Sequence, residues 1–177
     1  MQIPLETILE TERLILKVVS EDDVECAWTA SRVPGFTDGM QWDPPVKKEK
    51  IVQLIYTNRE KWKAGEFFVF SIYNKEAGEC VGRIIIRPEG KKDVWNIGYW
   101  MHPNHQGKGY TTEAVKAVID CGFSVLQAKK ITSAHASWNE ASGKVLRKAG
   151  FTHVGHTDCG FIKHGKSVPE ELYEITQ

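Results

Sequence analysis

The sequence predicts a mixed α/β domain, helices packed on one mixed sheet, spanning residues 1–177 as a single unit. Three observations carry this. The length suits one hydrophobic core that folds unaided. Short apolar runs alternate with longer amphipathic ones. A glycine-rich turn, Gln106-Gly107-Lys108-Gly109-Tyr110-Thr111, sits between an apolar strand and an amphipathic helix.

The elements follow in order. Glu12 to Val19 (E-R-L-I-L-K-V-V) reads as a strand with Leu14 and Leu16 on one face. Ser20 then looks like an N-cap, with Asp22 and Asp23 in the first turn of a helix to about Ser31. Ser31 to Pro45, holding Pro34, Gly35, Gly39, Pro44 and Pro45, predicts a long loop. A second helix is expected from about Lys47 to Ala64, stopped by Gly65. Phe67 to Tyr73 and Cys80 to Arg87 read as strands joined by a polar turn at Gly78. Val94 to Met101 is another strand, ended by Pro103, and Gly107 to Leu126 a helix with Ala114, Val118 and Phe123 among its apolar positions. Ile131 to Ala136 predicts a strand, Glu140 to Ala149 a helix closed by Gly150, and Phe151 onward two more strands. The resulting order is β-α-α-β-β-β-α-β-α-β-β.

Composition excludes several classes. The formal charge is zero, so no basic field argues for nucleic acid or an anionic membrane. No run of 18 apolar residues and no charged leader with an apolar core is present. Cys26, Cys80, Cys121 and Cys159 are scattered with no Cys-x-x-Cys pair, as expected for free, mostly buried thiols of a soluble cytoplasmic protein.

The glycine-rich turn is the most informative stretch. Two glycines let the backbone approach a ligand, and the following helix points free N–H groups and the positive end of its dipole into the turn. This makes a phosphate cradle. It is not a P-loop, because Gly109 follows Lys108 where Ser or Thr is required. It is not the dinucleotide fingerprint, because Thr112 stands where the last glycine should be.

The turn instead resembles the Gln/Arg-x-x-Gly-x-Gly/Ala signature of the GNAT superfamily of N-acetyltransferases. Positions Gln106 to Tyr110 fit it, and Thr111 departs from the usual small sixth residue. A second stretch supports the resemblance. Trp138-Asn139-Glu140-Ala141-Ser142, followed by Val145-Leu146-Arg147-Lys148-Ala149-Gly150-Phe151, is similar to the family's Asn-x-x-Ser, apolar helix and Gly-Phe close. Thr11-Glu12-Arg13-Leu14-Ile15-Leu16 and Asn96-Ile97-Gly98-Tyr99-Trp100 look like the RimJ/RimL-type subgroup, which acetylates ribosomal-protein N-termini.

The resemblance implies a GNAT acyl-CoA N-acyltransferase fold with acetyl-CoA as cosubstrate. The strand carrying Trp100 and Met101 would splay from its parallel neighbour, with acetyl-CoA in the gap. Its pyrophosphate would rest on Gln106, Gly107, Lys108, Gly109, Tyr110 and Thr111, and Asn139 would hold its arm. A backbone N–H near Met101 would polarise the thioester carbonyl. Some relatives use a tyrosine on the last helix as acid, but that place falls near Leu146. Ser142 is therefore the candidate proton donor, its other reading being a hydroxyl in the first helical turn. Glu66, His135 and Asp38 are candidate bases, each also open to a structural reading.

The acceptor is expected along Pro34 to Pro45, where Phe36, Met40 and Trp42 form either a binding wall or a lid on the core, and Asp38 could attract an amine. The expected reaction is acetyl transfer to a primary amine by direct attack, foremost the N-terminal α-amine of a protein such as a ribosomal protein. A polyamine, an amino acid, an aminoglycoside, or a CoA-binding sensor without turnover are the alternatives. A monomer or homodimer is expected. His153, His156, Cys159 and His164 lie close in sequence, but spacings of three on a strand turn His156 away from His153, so no metal site is expected.

Overall fold

The structure, a computed structural model, describes residues 2–177. Eight strands form one sheet: β1 (Ile8–Glu10), β2 (Leu14–Val18), β3 (Phe68–Asn74), β4 (Cys80–Pro88), β5 (Val94–Met101), β6 (Lys130–Ala136), β7 (Thr152–Lys163) and β8 (Lys166–Thr176). Their spatial order is β1-β2-β3-β4-β5-β6-β8-β7. Among the described residues only the β5–β6 pair is parallel. The helices are α1 (Val24–Ser31), α2 (Lys48–Lys63), α3 (Tyr110–Ser124) and α4 (Glu140–Lys148).

The period of two along each strand sorts side chains between the faces. On β3, Phe68, Phe70 and Ile72 join Ile84, Ile86, Ile97 and Ile131 in the large core that α3 closes with Ala114, Val115 and Val118. Val69 turns the other way and joins Ala27, Ile51 and Ile55 of α1 and α2. On that second face Asp23 is buried, its carboxylate accepting from Ser20 N–H at 2.7 Å, Ser71 Oγ at 2.5 Å and the Tyr73 hydroxyl.

The order matches the predicted one with one addition. The short edge strand β1 precedes the first predicted strand and pairs antiparallel with β2. Its three residues are too few for periodicity to register. The first predicted helix starts later than expected, because Glu21–Asp23 forms a 3-10 turn ahead of α1. Helix α3 begins at Tyr110, since Gly107 and Gly109 both have left-handed backbone, at φ of 75° and 82°.

Two features of β5 position everything downstream. Gly82 of β4 faces Met101, and a Cβ there would stand 2.6 Å from the Trp100 carbonyl oxygen. Only glycine lets these strands approach so closely. On the other side, the β5–β6 ladder ends at Asn96 opposite Thr132. Expected outcome: Gly82→Ala lowers stability by about 1–3 kcal/mol in thermal or urea unfolding. Gly155→Ala, whose new methyl meets nothing within 4 Å, serves as reference and should change stability by less than about 0.5 kcal/mol.

Candidate active site

Beyond Asn96, β5 and β6 part. His102 N–H donates to the Val81 carbonyl at 2.8 Å, which sets the phase of the antiparallel β4–β5 ladder. By alternation, the backbone groups of Ile97, Tyr99 and Met101 point away from β4 toward β6. Ser133 Oγ donates to the Ile97 carbonyl at 2.8 Å, and Gln106 Nε2 to the Met101 carbonyl at 3.2 Å. The Met101 N–H and the backbone of Tyr99 are left facing the gap. Such groups demand partners, and an extended ligand arm can supply them.

The turn Gln106 to Thr111 lies at the end of this gap. A Cβ on Gly107 would meet nothing within 4 Å, so its backbone is open to a ligand. No side chain caps α3, which leaves its first N–H groups free. Tyr110 takes part through its backbone, because its ring is buried and its hydroxyl accepts from Asn74 Nδ2 at 2.8 Å. Glu113, in the first turn of α3, would oppose an anion. Arg13 answers it with an ion pair at 2.7 Å, while donating from Nη1 to the Lys108 carbonyl at 2.9 Å. Thr11 Oγ1 donates to the same carboxylate at 2.6 Å. Thr11 and Arg13 were legible in sequence only as part of a family resemblance. Their physical role is to fix the turn and neutralise the Glu113 carboxylate.

Ser142 meets a partner that sequence reading missed. Its Oγ lies 2.8 Å from the hydroxyl of Tyr99, which reaches it from β5. Burial pushes the Tyr99 phenol pKa up, with the Ser142 hydrogen bond opposing, so it keeps its proton at neutral pH. Asn139 Oδ1 accepts from Ser142 N–H at 3.2 Å and caps α4. Leu146, where a helix tyrosine would stand, is fully buried.

Among the described residues the two other proposed catalytic groups make no hydrogen bond to this pair. His135 is 5% exposed and lies under α4, its Nδ1 2.9 Å from the Ala136 carbonyl and its ring packed on Tyr173. Its Nε2 would be 2.8 Å from a Cβ on Gly143. Glu66 precedes β3, whose first residue Phe68 pairs with Ile86, at the end of the sheet opposite Gly82 and Met101. It is exposed and 3.7 Å from Lys61.

The loop Pro34 to Pro45, the expected acceptor wall, contacts the parting strands. Phe36 stands edge-on to Trp100 with centroids 5.8 Å apart, and Trp42 edge-on to Phe36 at 6.2 Å. Gly39 presses on the methyl of Ala136 in β6, where a Cβ would come within 3.0 Å. One ammonium holds the loop in place. Lys163 Nζ donates to the carbonyls of Thr37, Met40 and Trp42, each at 2.9 Å, and meets Asp43 at 3.1 Å. Its hydrogen bond is the main cause that lowers the Asp43 pKa. Between the loop and the β7–β8 tip opens a cleft of about 690 Å³, with exposed Asp38 and Trp138 on its wall.

The histidines of β7 correct an expectation. A bulge between His153 and Gly155 inserts one residue, so His153 and His156 share a face after all. His153 Nε2 lies 2.7 Å and His156 Nδ1 2.8 Å from the carboxylate of Glu171. Those contacts, His156 foremost, pull the Glu171 pKa down to about 2. Among the described residues no group of three or more His, Cys, Asp or Glu side chains is placed to hold a metal ion. No helix among them is long and apolar enough to cross a membrane.

Lys163→Met should release the loop. The expected outcome is an acceptor KM raised about tenfold, with acetyl-CoA affinity held within about twofold. An unchanged acceptor KM in steady-state assays would remove the loop from the acceptor site.

Residues 13–152 match the family described as Acetyltransferase (GNAT) domain. Uncharacterized N-acetyltransferase YoaA of Bacillus subtilis (strain 168) is 26% identical over 171 residues, covering 96% of this chain and 97% of its own. Uncharacterized N-acetyltransferase p20 of Bacillus licheniformis is 30% identical over 151 residues, 83% of each chain. Among solved structures, RimL, the ribosomal L7/L12 alpha-N-protein acetyltransferase in complex with coenzyme A, has the same fold. Its TM-score is 0.86 at 18% identity, over 96% of this chain and 98% of that one. The unpaired β5 backbone and the uncapped, glycine-opened end of α3 fit a CoA thioester. The chain belongs to the GNAT family of N-acetyltransferases, acyltransferases that take acetyl-CoA as cosubstrate.

Proposed function

We propose that this chain acetylates the N-terminal α-amine of a polypeptide, in the manner of the ribosomal-protein acetyltransferases whose fold it shares, and that it does so in the cytoplasm by direct attack within a ternary complex. One observation carries the reading. The gap between β5 and β6 and the wall of Trp100, Phe36 and Trp42 meet at the same two residues, Trp100 and Met101. Donor and acceptor thus approach one stretch of backbone from the two sides of the sheet. A cleft of about 690 Å³ beside the same loop offers room for a chain continuing away from its terminus.

Acetyl-CoA supplies an activated acetyl group and a thiol leaving group. The protein's contribution is placement, polarisation and proton control. Gly107 and the free N–H groups of α3 would hold the pyrophosphate, with Lys108 adding charge and Tyr110 and Thr111 backbone amides. The nitrogen of Asn139 is left over from capping and would meet the pantetheine arm. The Met101 N–H would accept negative charge developing on the acetyl oxygen. As the C–N bond forms and the C–S bond breaks, Ser142 would deliver a proton to the departing sulfur and recover one from Tyr99. The surplus amine proton leaves through the cleft, by way of Asp38 or water, and solvent returns one proton to Tyr99, so that the relay ends as it began. An α-amine with a pKa of about 8 reaches its neutral form far more readily than lysine at about 10.4.

The cysteines favour direct attack over an acetyl-cysteine. Burial pushes the Cys121 thiol up to about 11, and Cys80 is raised too, chiefly by its contact with Cys26. Cys159 is exposed on β7, the edge strand farthest from β1.

Expected outcome: Ser142→Ala and Tyr99→Phe each lower kcat on the order of a hundredfold while acetyl-CoA KM moves little. The double variant loses no more than the worse single one, because the two hydroxyls act as one relay. Equal losses in kcat and in cofactor binding would make Ser142 a ligand and not a donor. A screen of Ser- and Ala-initiated peptides against polyamines decides the acceptor. Turnover confined to polyamines would overturn the N-terminal reading.

A further inference from the structure

Arg83 of β4 stands in register with Trp100 of β5, on the sheet face that α1 covers. Only 9% of its surface is exposed. Its guanidinium carbon lies 5.6 Å from the centre of the Trp100 ring. Nε is buried without a hydrogen-bond partner, and no carboxylate comes within ion-pair distance of the guanidinium among the described residues. Burial opposes its charge, and Asp23 is the foremost group that supports it through space.

Asp23 does not use up these donors. Its oxygens already accept from Ser20 N–H, Ser71 and Tyr73. It supplies a field that makes a buried cation tolerable, while the guanidinium Nε is left without a partner. A buried charge with unmatched donors is costly unless something binds it. The position of the fork says what that is. Trp42, Phe36 and Trp100 form a chain of edge-on ring contacts on the loop that borders the cleft, and Arg83 stands at its Trp100 end. The next residue after Trp100 is Met101, whose N–H faces the acetyl donor. The backbone of Arg83 therefore lies about one strand spacing, roughly 5 Å, from that of Trp100, the neighbour of the proposed point of transfer.

We propose that Arg83 binds a carboxylate carried by the acceptor close to its reacting amine. The inference rests on the acceptor lying along the aromatic wall, and it narrows that acceptor from amines in general to acidic ones. A planar fork matches a carboxylate with two parallel hydrogen bonds and repels a second cation. Polyamines and aminoglycosides are thereby disfavoured. The carboxylate comes either from an acidic side chain at the first positions of a peptide or from the α-carboxylate of a free amino acid.

Matched pairs separate these cases. CoA release is followed with acetyl-CoA and peptides bearing Glu or Gln at the first or second position, and with free serine against serinamide. All are assayed at a pH where both amines of a pair are unprotonated. The wild type is expected to favour the carboxylate member of one pair by about tenfold to a hundredfold in kcat/KM. In Arg83→Met that preference falls to about one while acetyl-CoA KM is kept, and Arg83→Lys keeps part of it. The peptide pair responding identifies a side-chain carboxylate, the serine pair an amino acid. Equal use of both members by the wild type overturns the proposal without any variant, as does a preference that survives Arg83→Met. Turnover of amines without carboxylate preference sinks this inference alone. Acetyl-CoA binding with no turnover of any amine sinks the acceptor reading as well.

Discussion

Parallel pairing between β5 and β6 that stops at Asn96 and Thr132 is the constraint on which the rest of the structure depends. A strand in the middle of a sheet normally satisfies both of its edges. Here one edge of β5 is given up for half its length, and the protein pays for it piecemeal. Ser133 caps the Ile97 carbonyl, Gln106 the Met101 carbonyl, and Gly82 draws β4 close on the opposite edge. What is left is a short stretch of backbone polarity at Tyr99 and Met101, held rigidly between two hydrophobic cores. Rigidity matters, because a donor N–H aids acyl transfer only if it is already aimed when charge develops.

Around that stretch the two faces of the sheet divide the work. On the α3–α4 face stand the glycine-opened turn, the Arg13–Glu113 pair behind it, and the Tyr99–Ser142 hydroxyls. On the α1–α2 face stand Trp100, Phe36 and Trp42, with Lys163 fastening the loop that carries two of them. The period of two in β5 makes this possible. Tyr99 and Met101 turn their side chains to one face, and Trp100 between them turns to the other.

What the sequence disclosed was local. The open turn before α3 was legible because it lies in consecutive residues whose backbone adopts positive φ, as Gly107 and Gly109 do. The strands and helices were legible because each repeats a period over enough residues, and β1 escaped because it does not. The rest was not local. Tyr99 and Ser142 are 43 positions apart, and Lys163 reaches carbonyls more than 120 positions away. Such contacts carry no sequence signal. His156 shows a subtler failure, since the period-two rule holds only for an unbroken strand and a single bulge reverses it. Glu66 and His135 were chosen for residue type and strand position, and sequence gives neither the ion pair of Glu66 with Lys61 nor the packing of His135 under Gly143 and against Tyr173.

The central claim is that the turn after β5 holds the pyrophosphate of acetyl-CoA on backbone amides. Gly107→Glu, set beside Gly107→Ala, tests it most directly, because both variants carry the same cost of left-handed backbone at φ 75° and only the first brings a negative charge into the turn. Calorimetric titration of acetyl-CoA into the wild type and the two variants, all checked for equal folded content, gives the answer. Binding weakened by about a hundredfold or more in Gly107→Glu relative to Gly107→Ala is the result this account predicts. Equal affinity in the two variants would contradict it.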